Sequence, residues 1–214
     1  MKKQTLQSIV RFLLRTLTRT HYYGIENIPK SGGVIFAINH LSYIDTPLLL
    51  VNPIRPDITA LVTTKYQERA LISWFVRTAE GIWIDRDVAD FSAIREAAKA
   101  LNKGLALGIA PEGTRTTTGG LQKAKPGTIM LAMKANVPII PVAITGSENA
   151  FHALSKFRRP SLSVTFGKPF VIPQIEPGNR SKALLEWTDI LMQKIAALLP
   201  EEYRGIFADS ETLP

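Results

Sequence analysis

Short runs that are apolar throughout alternate along the chain with longer stretches whose apolar residues recur every three or four positions. Val34–Ile38, Ile58–Thr63, Gly81–Ile84, Leu105–Ile109, Ile139–Ile144 and Leu162–Phe166 read as strands. Helical spacing falls near residues 46–51, 66–78, 90–102, 127–135 and 147–155, and over Ser181–Leu198, where Ser181 suits an N-cap. Strands with no polar alternation need cover on both faces, so the pattern predicts one α/β domain with a mostly parallel, mixed central sheet flanked by helices. A loop from Ile25 to Gly33, with Pro29 and a glycine pair, precedes the first strand. The acidic tail Ala208–Pro214 reads as frayed.

The N-terminus carries a different pattern. Leu6, Ile9, Val10, Leu13, Leu14 and Leu17 share one helical face, while Arg11, Arg15 and Arg19 step by four along another. This predicts an amphipathic basic helix within residues 1–21, ahead of a single domain over residues 22–214. Such a helix either lies on an anionic membrane surface or packs its apolar face on the domain. No stretch is long and apolar enough to span a bilayer, and Arg11 and Arg15 break what would be the core of a secretory signal. The expected location is the cytoplasmic face of a membrane, as a peripheral protein.

The net charge of +8 reinforces that expectation, because residues 1–20 hold basic residues and no acid. Aromatics are not interleaved with the basic residues as a single-strand-binding surface needs, so nucleic acid is not an expected partner. Cysteine is absent, which excludes disulfides and a cysteine nucleophile. His21, His40 and His152 lack metal-ligand spacing, so no metal is expected. Serine-hydrolase elbow, Walker loop and dinucleotide fingerprint are all missing.

Four segments remain that carry chemistry. Asn39-His40-Leu41-Ser42-Tyr43-Ile44-Asp45 follows the first predicted strand directly, where α/β sheets place ligands. A neutral imidazole takes a proton from a hydroxyl, and a carboxylate on its other nitrogen fixes the tautomer. Read alone, Asp45 equally suits a helix N-cap and His40 a buried, satisfied histidine. Pro111-Glu112-Gly113-Thr114-Arg115 follows another strand. Its arginine fork suits a phosphate, or an ion pair with Glu112. Gly81-Ile82-Trp83-Ile84-Asp85-Arg86 alone reads as a strand ending in a surface ion-pair cluster. Val137-Pro138-Ile139-Ile140-Pro141-Val142 alone is a buried strand with a proline at its entry.

In this order, the four segments resemble the blocks of the glycerophospholipid acyltransferases, and most closely those of the lysophosphatidic acid acyltransferases. The resemblance spans roughly residues 22–170, with the blocks between 34 and 145. It implies His40 as general base and Asp45 as its partner, with Arg86, Glu112, Gly113, Thr114 and Arg115 binding substrate. It also implies a fatty acyl thioester, on coenzyme A or acyl carrier protein, as co-substrate, a lysophospholipid as acceptor, and no cofactor. The implied product is phosphatidic acid, in phospholipid biosynthesis. Lyso-ornithine lipid or lysophosphatidylglycerol as acceptor, and a non-catalytic anionic-lipid module, stay open. The chain departs from the family pattern at Ala110, usually Phe, and at Ala124-Lys125-Pro126-Gly127, commonly Phe-Lys-x-Gly, which leaves acceptor and acyl chain unassigned.

Overall fold

The computed structural model describes residues 1–88 and 90–208. Most of the tail expected to fray, residues 209–214, lies outside the described residues. Seven strands form one sheet: β1 (Arg19–Tyr23), β2 (Val34–Ile38), β3 (Thr59–Thr63), β4 (Ile82–Ile84), β5 (Ala106–Ile109), β6 (Ile139–Thr145) and β7 (Ser161–Phe166). Their order is β1-β7-β6-β2-β5-β3-β4, and only the β6–β7 pair is antiparallel. Among the described residues, seven α-helices accompany them: α1 (Lys3–Leu17), α2 (Asp45–Leu50), α3 (Ala70–Thr78), α4 (Phe91–Asn102), α5 (Gly127–Ala135), α6 (Ala150–Ser155) and α7 (Arg180–Ala196).

The apolar strands are apolar because both faces of the sheet are covered. In β2, Ile35 and Ala37 join a core with α4, α5 and α7, while Val34, Phe36 and Ile38 join a second core with α1 and α2. All five side chains are buried, as the period-two geometry of a strand between two layers demands. The predicted strands and helices are present with ends shifted by a few residues; α7 starts at Arg180, and Ser181 is not its cap.

Two differences from the sequence pattern stand out. β1 was not expected, because its residues are polar or aromatic and only alternately half-covered. Its pairing with β7 joins positions such as Arg19 and Ser161 that no local pattern connects. Arg19 therefore leaves the helical stripe: the α1 helix ends as Thr18 turns extended, its hydroxyl on Leu14 O at 2.6 Å. A domain boundary drawn at residue 21 falls inside β1.

α1 also divides its apolar residues between two surfaces. Leu6 and Val10 are buried, and Gln7 Nε2 donates to Leu50 O and Pro56 O (3.1 and 2.8 Å). Ile9, Phe12, Leu13 and Leu17 face outward. No described helix is long and apolar enough to cross a membrane.

Candidate active site

β2, β5, β3, β4 and β6 run parallel in the sheet, so the segments leaving their C-terminal ends meet at one edge. That topology gathers His40 after β2, Tyr66 after β3, Arg86 after β4, the 110–115 turn after β5 and Ser147 after β6.

Asp45 is fully buried at the start of α2. Its Oδ2 accepts from Leu41 N–H (2.7 Å) and Ser42 N–H (2.8 Å) and stands 2.8 Å from His40 Nδ1. Its Oδ1 accepts from the Ser147 hydroxyl at 2.5 Å. A carboxyl group receiving three other donors is an acceptor, so His40 Nδ1 carries the hydrogen and Nε2 is the free base. Asp45 does not cap α2 with its side chain. The Leu41 and Ser42 amides are committed to Asp45; Thr46 in the same turn lines the cleft.

The main chain of His40 is held on both sides. Its N–H donates to Glu112 Oε1 (3.2 Å) and its C=O accepts from Thr116 N–H (2.9 Å). Asn39 is locked to β6 by a reciprocal pair with Ile144, at 2.8 and 2.7 Å. Ser147 and Asn39 thus extend the His40–Asp45 pair through residues far away in sequence.

His40 opens onto a cleft of about 570 Å³, walled by Leu61, Val62, Ile72, Phe75 and Val76 on its apolar side. A smaller apolar pocket continues from His40 toward Leu49, Leu50, Ala79 and Gly108. The polar side carries Arg86, Gly113, Thr114, Arg115 and Lys125. Arg86 turns inward and donates from Nη1 to Gly113 O, instead of joining a surface ion-pair cluster. Asp87 pairs with Lys65 at 3.1 Å. Arg115 Nη2 donates to the hydroxyls of Tyr43 and Tyr66, each at 3.1 Å, and its guanidinium stacks 3.8 Å from the Tyr43 ring centroid. Neither Arg86 nor Arg115 forms an ion pair among the described residues. Burial pulls Arg86 below its ordinary pKa, as it does for a cation withdrawn from water. An anion in the cleft would relieve that cost.

Glu112 occupies a different place from its neighbours in the turn. It is buried, with Oε2 on Gln122 N–H (3.0 Å) and Oε1 on His40 N–H. Burial pushes its carboxyl up to about 7, against the two amide bonds. Gly113 adopts φ 73°, a conformation that favours glycine, and this leaves its carbonyl to Arg86. Tyr66 and Ser147 escape a reading of the sequence, because each reaches the site through a contact between distant segments; Tyr43 and Lys125 lie in quoted blocks, but their place on the cleft wall is visible only in the fold.

A family model described as Acyltransferase matches residues 19–145. The chain is 24% identical over 176 residues to a 1-acyl-sn-glycerol-3-phosphate acyltransferase of Bacillus subtilis, covering 82% of this chain and 86% of that one. It is 30% identical over 130 residues to the protein of the same name from Borreliella burgdorferi, covering 60% of this chain and only 52% of that one. The solved structure of the 1-acyl-sn-glycerophosphate (LPA) acyltransferase of Thermotoga maritima superposes with a TM-score of 0.64 at 24% identity, over 88% of this chain and 77% of that one.

Proposed function

The chain belongs to the acyltransferase family, and from that membership we propose that it transfers a fatty acyl group from a thioester to the free hydroxyl of a lysophospholipid, 1-acylglycerol-3-phosphate, to give phosphatidic acid. The observation that carries this reading is the His40–Asp45 pair, with Nε2 free at a cleft that has cations on one wall and apolar side chains on the other.

His40 Nε2 removes the acceptor hydroxyl proton as the oxygen attacks the thioester carbonyl. Asp45 stabilises the resulting imidazolium through Nδ1–H. The tetrahedral intermediate collapses, the C–S bond breaks, and the thiolate leaves with the proton returned by His40. No enzyme nucleophile and no cofactor are required. Arg86 and Arg115, which have no carboxylate partner among the described residues, face the acceptor phosphate as cations. The apolar wall suits the acyl chains. The acceptor is a lipid, so the outward residues of α1, with Arg11 and Arg15 beside them, dock on an anionic membrane surface.

The test is acyl transfer to lysophosphatidic acid from palmitoyl- or oleoyl-coenzyme A and from acyl carrier protein. Wild type forms phosphatidic acid, and His40→Ala loses about 10²–10⁴-fold in kcat with its fold intact. Turnover by His40→Ala close to wild type would sink the mechanism.

A further inference from the structure

The turn that leaves α6 holds an aromatic ring where the backbone least welcomes one. Phe157 N–H donates to Leu154 O (3.0 Å) and Arg158 N–H to Ala153 O (2.9 Å), the paired bonds of a Schellman helix end. The residue in the left-handed position of that motif is usually glycine; here it is Phe157, with φ 55°. Its ring is fully exposed and packs against nothing in the fold. A bulky side chain in this conformation opposes folding, its exposed ring offsets none of that cost by burial, and glycine would avoid the strain.

The surroundings are cationic. Lys156, Arg158 and Arg159 flank the ring, and no acidic residue occurs between Glu148 and Glu176. Arg159 Nη2 donates to Arg15 O and Thr18 O, both at 2.7 Å, which fastens the turn to the C-terminal end of α1. At the other end of α6, Phe151 is exposed and lines the rim of the cleft that holds His40. The turn therefore stands between the outward face of α1 and the cleft mouth.

We propose that residues 156–159 form a second anchor in an anionic bilayer, with the Phe157 ring entering the acyl region while Lys156 and Arg158 meet headgroup phosphates. This rests on the reading of α1 as a membrane-docking helix and adds to it a fixed contact beside the cleft. Cations bordering an exposed apolar group match an anionic lipid surface in both charge and polarity. An acidic carrier protein would satisfy the cations and offer the ring no hydrocarbon layer.

The chain has no cysteine, so a single Phe157→Cys carrying an environment-sensitive fluorophore reports on this position alone. Full-length protein is mixed with vesicles of phosphatidylglycerol and phosphatidylcholine. The label at 157 is expected to shift to the blue and brighten, as does one at Phe12→Cys on α1. A label at Leu185→Cys on α7, which covers the other face of the sheet, is expected to stay unchanged. Phe157→Gly suits the left-handed backbone, so it should keep its Tm while losing roughly ten-fold in vesicle affinity. A label at 157 that stays in water while the one at 12 responds would overturn this anchor and leave α1 docking standing. Water-like spectra at both positions would overturn both. A response at 157 to acyl carrier protein and none to vesicles would replace the lipid with a protein partner and overturn the proposal.

Discussion

Asp45 receives three donors besides His40: the adjacent Leu41 and Ser42 amides and, from a distant segment, the Ser147 hydroxyl. An amide in its place has one acceptor atom and would point a second donor at one of them. Asp45→Asn is expected to lower kcat by about 10²-fold or more and to lower Tm, because buried donors go unpaired. Retained activity in an acyl-transfer assay would show that His40 is oriented by something else. Glu112 sets a pH dependence of its own. Its folded pKa of about 7 lies above the unfolded value, so its protonated form is favoured by folding. That contribution is complete below about pH 4.5 and is lost as pH rises through about 7. Wild type should therefore lose stability relative to Glu112→Gln across that window, by something on the order of a few kcal/mol. Denaturant titrations at several pH values check this, and a constant difference would mean that Glu112 does not titrate there. Tyr43 and Tyr66 act on Arg115 from the side. Removing the Tyr66 hydroxyl in Tyr66→Phe is expected to raise the acceptor KM several-fold with kcat nearly kept, because the loss frees Arg115 without touching His40.

Among elements, what the sequence reveals and what it hides divides along one physical line. β2, β5 and β6 are legible because burial on both faces leaves almost only apolar residues, and α4 because its apolar residues recur at helical spacing; the structure adds that Asp90 caps it, accepting from Ser92 and Ala93 N–H. The His40-to-Asp45 contact is legible because only four residues lie between the partners and the blocks around them carry a family resemblance. β1 is hidden because its stability comes from pairing with β7 and not from its own side chains. Arg55 is hidden for the same reason. It is fully buried, and its five N–H groups reach Asp57 twice and the carbonyls of Pro29, Gly32 and Gly104. Those partners lead into β3, β2 and β5 at the ends opposite the cleft, so one side chain ties three strand entrances together. Arg55→Met is expected to cost about 3 kcal/mol in denaturant unfolding, since three carbonyls lose a donor at once. A stability within experimental error of wild type would mean that water or a shifted loop replaces the guanidinium. Hydrogen bonding from Arg55 holds Asp57 below the usual carboxylate range. The Asp57 contribution is therefore present at neutral pH and fades as pH falls through that lowered value.

At the scale of the whole molecule, α1 has two sides, and any test of membrane binding must separate them. One side closes a core: Leu6 and Val10 are buried, and Gln7 bonds carbonyls on both sides of the α2 exit. The other side exposes Phe12, Leu13 and Leu17. Deleting residues 1–17 removes both sides, so lost vesicle binding by that truncation would report unfolding as readily as lost contact. The expected cost of the deletion is several kcal/mol, from the cavity left over Phe36 and Leu48 in the same core. Phe12→Glu combined with Leu13→Glu changes only the outward side. Exposed substitutions of this kind usually move stability by about 0.5 kcal/mol or less. The double variant should therefore keep its Tm and its turnover of a detergent-dispersed acceptor, while vesicle flotation falls by about ten-fold or more. Unchanged flotation with an unchanged Tm would take the membrane role away from the Phe12–Leu13 surface of α1, because two carboxylates there oppose entry into an anionic bilayer.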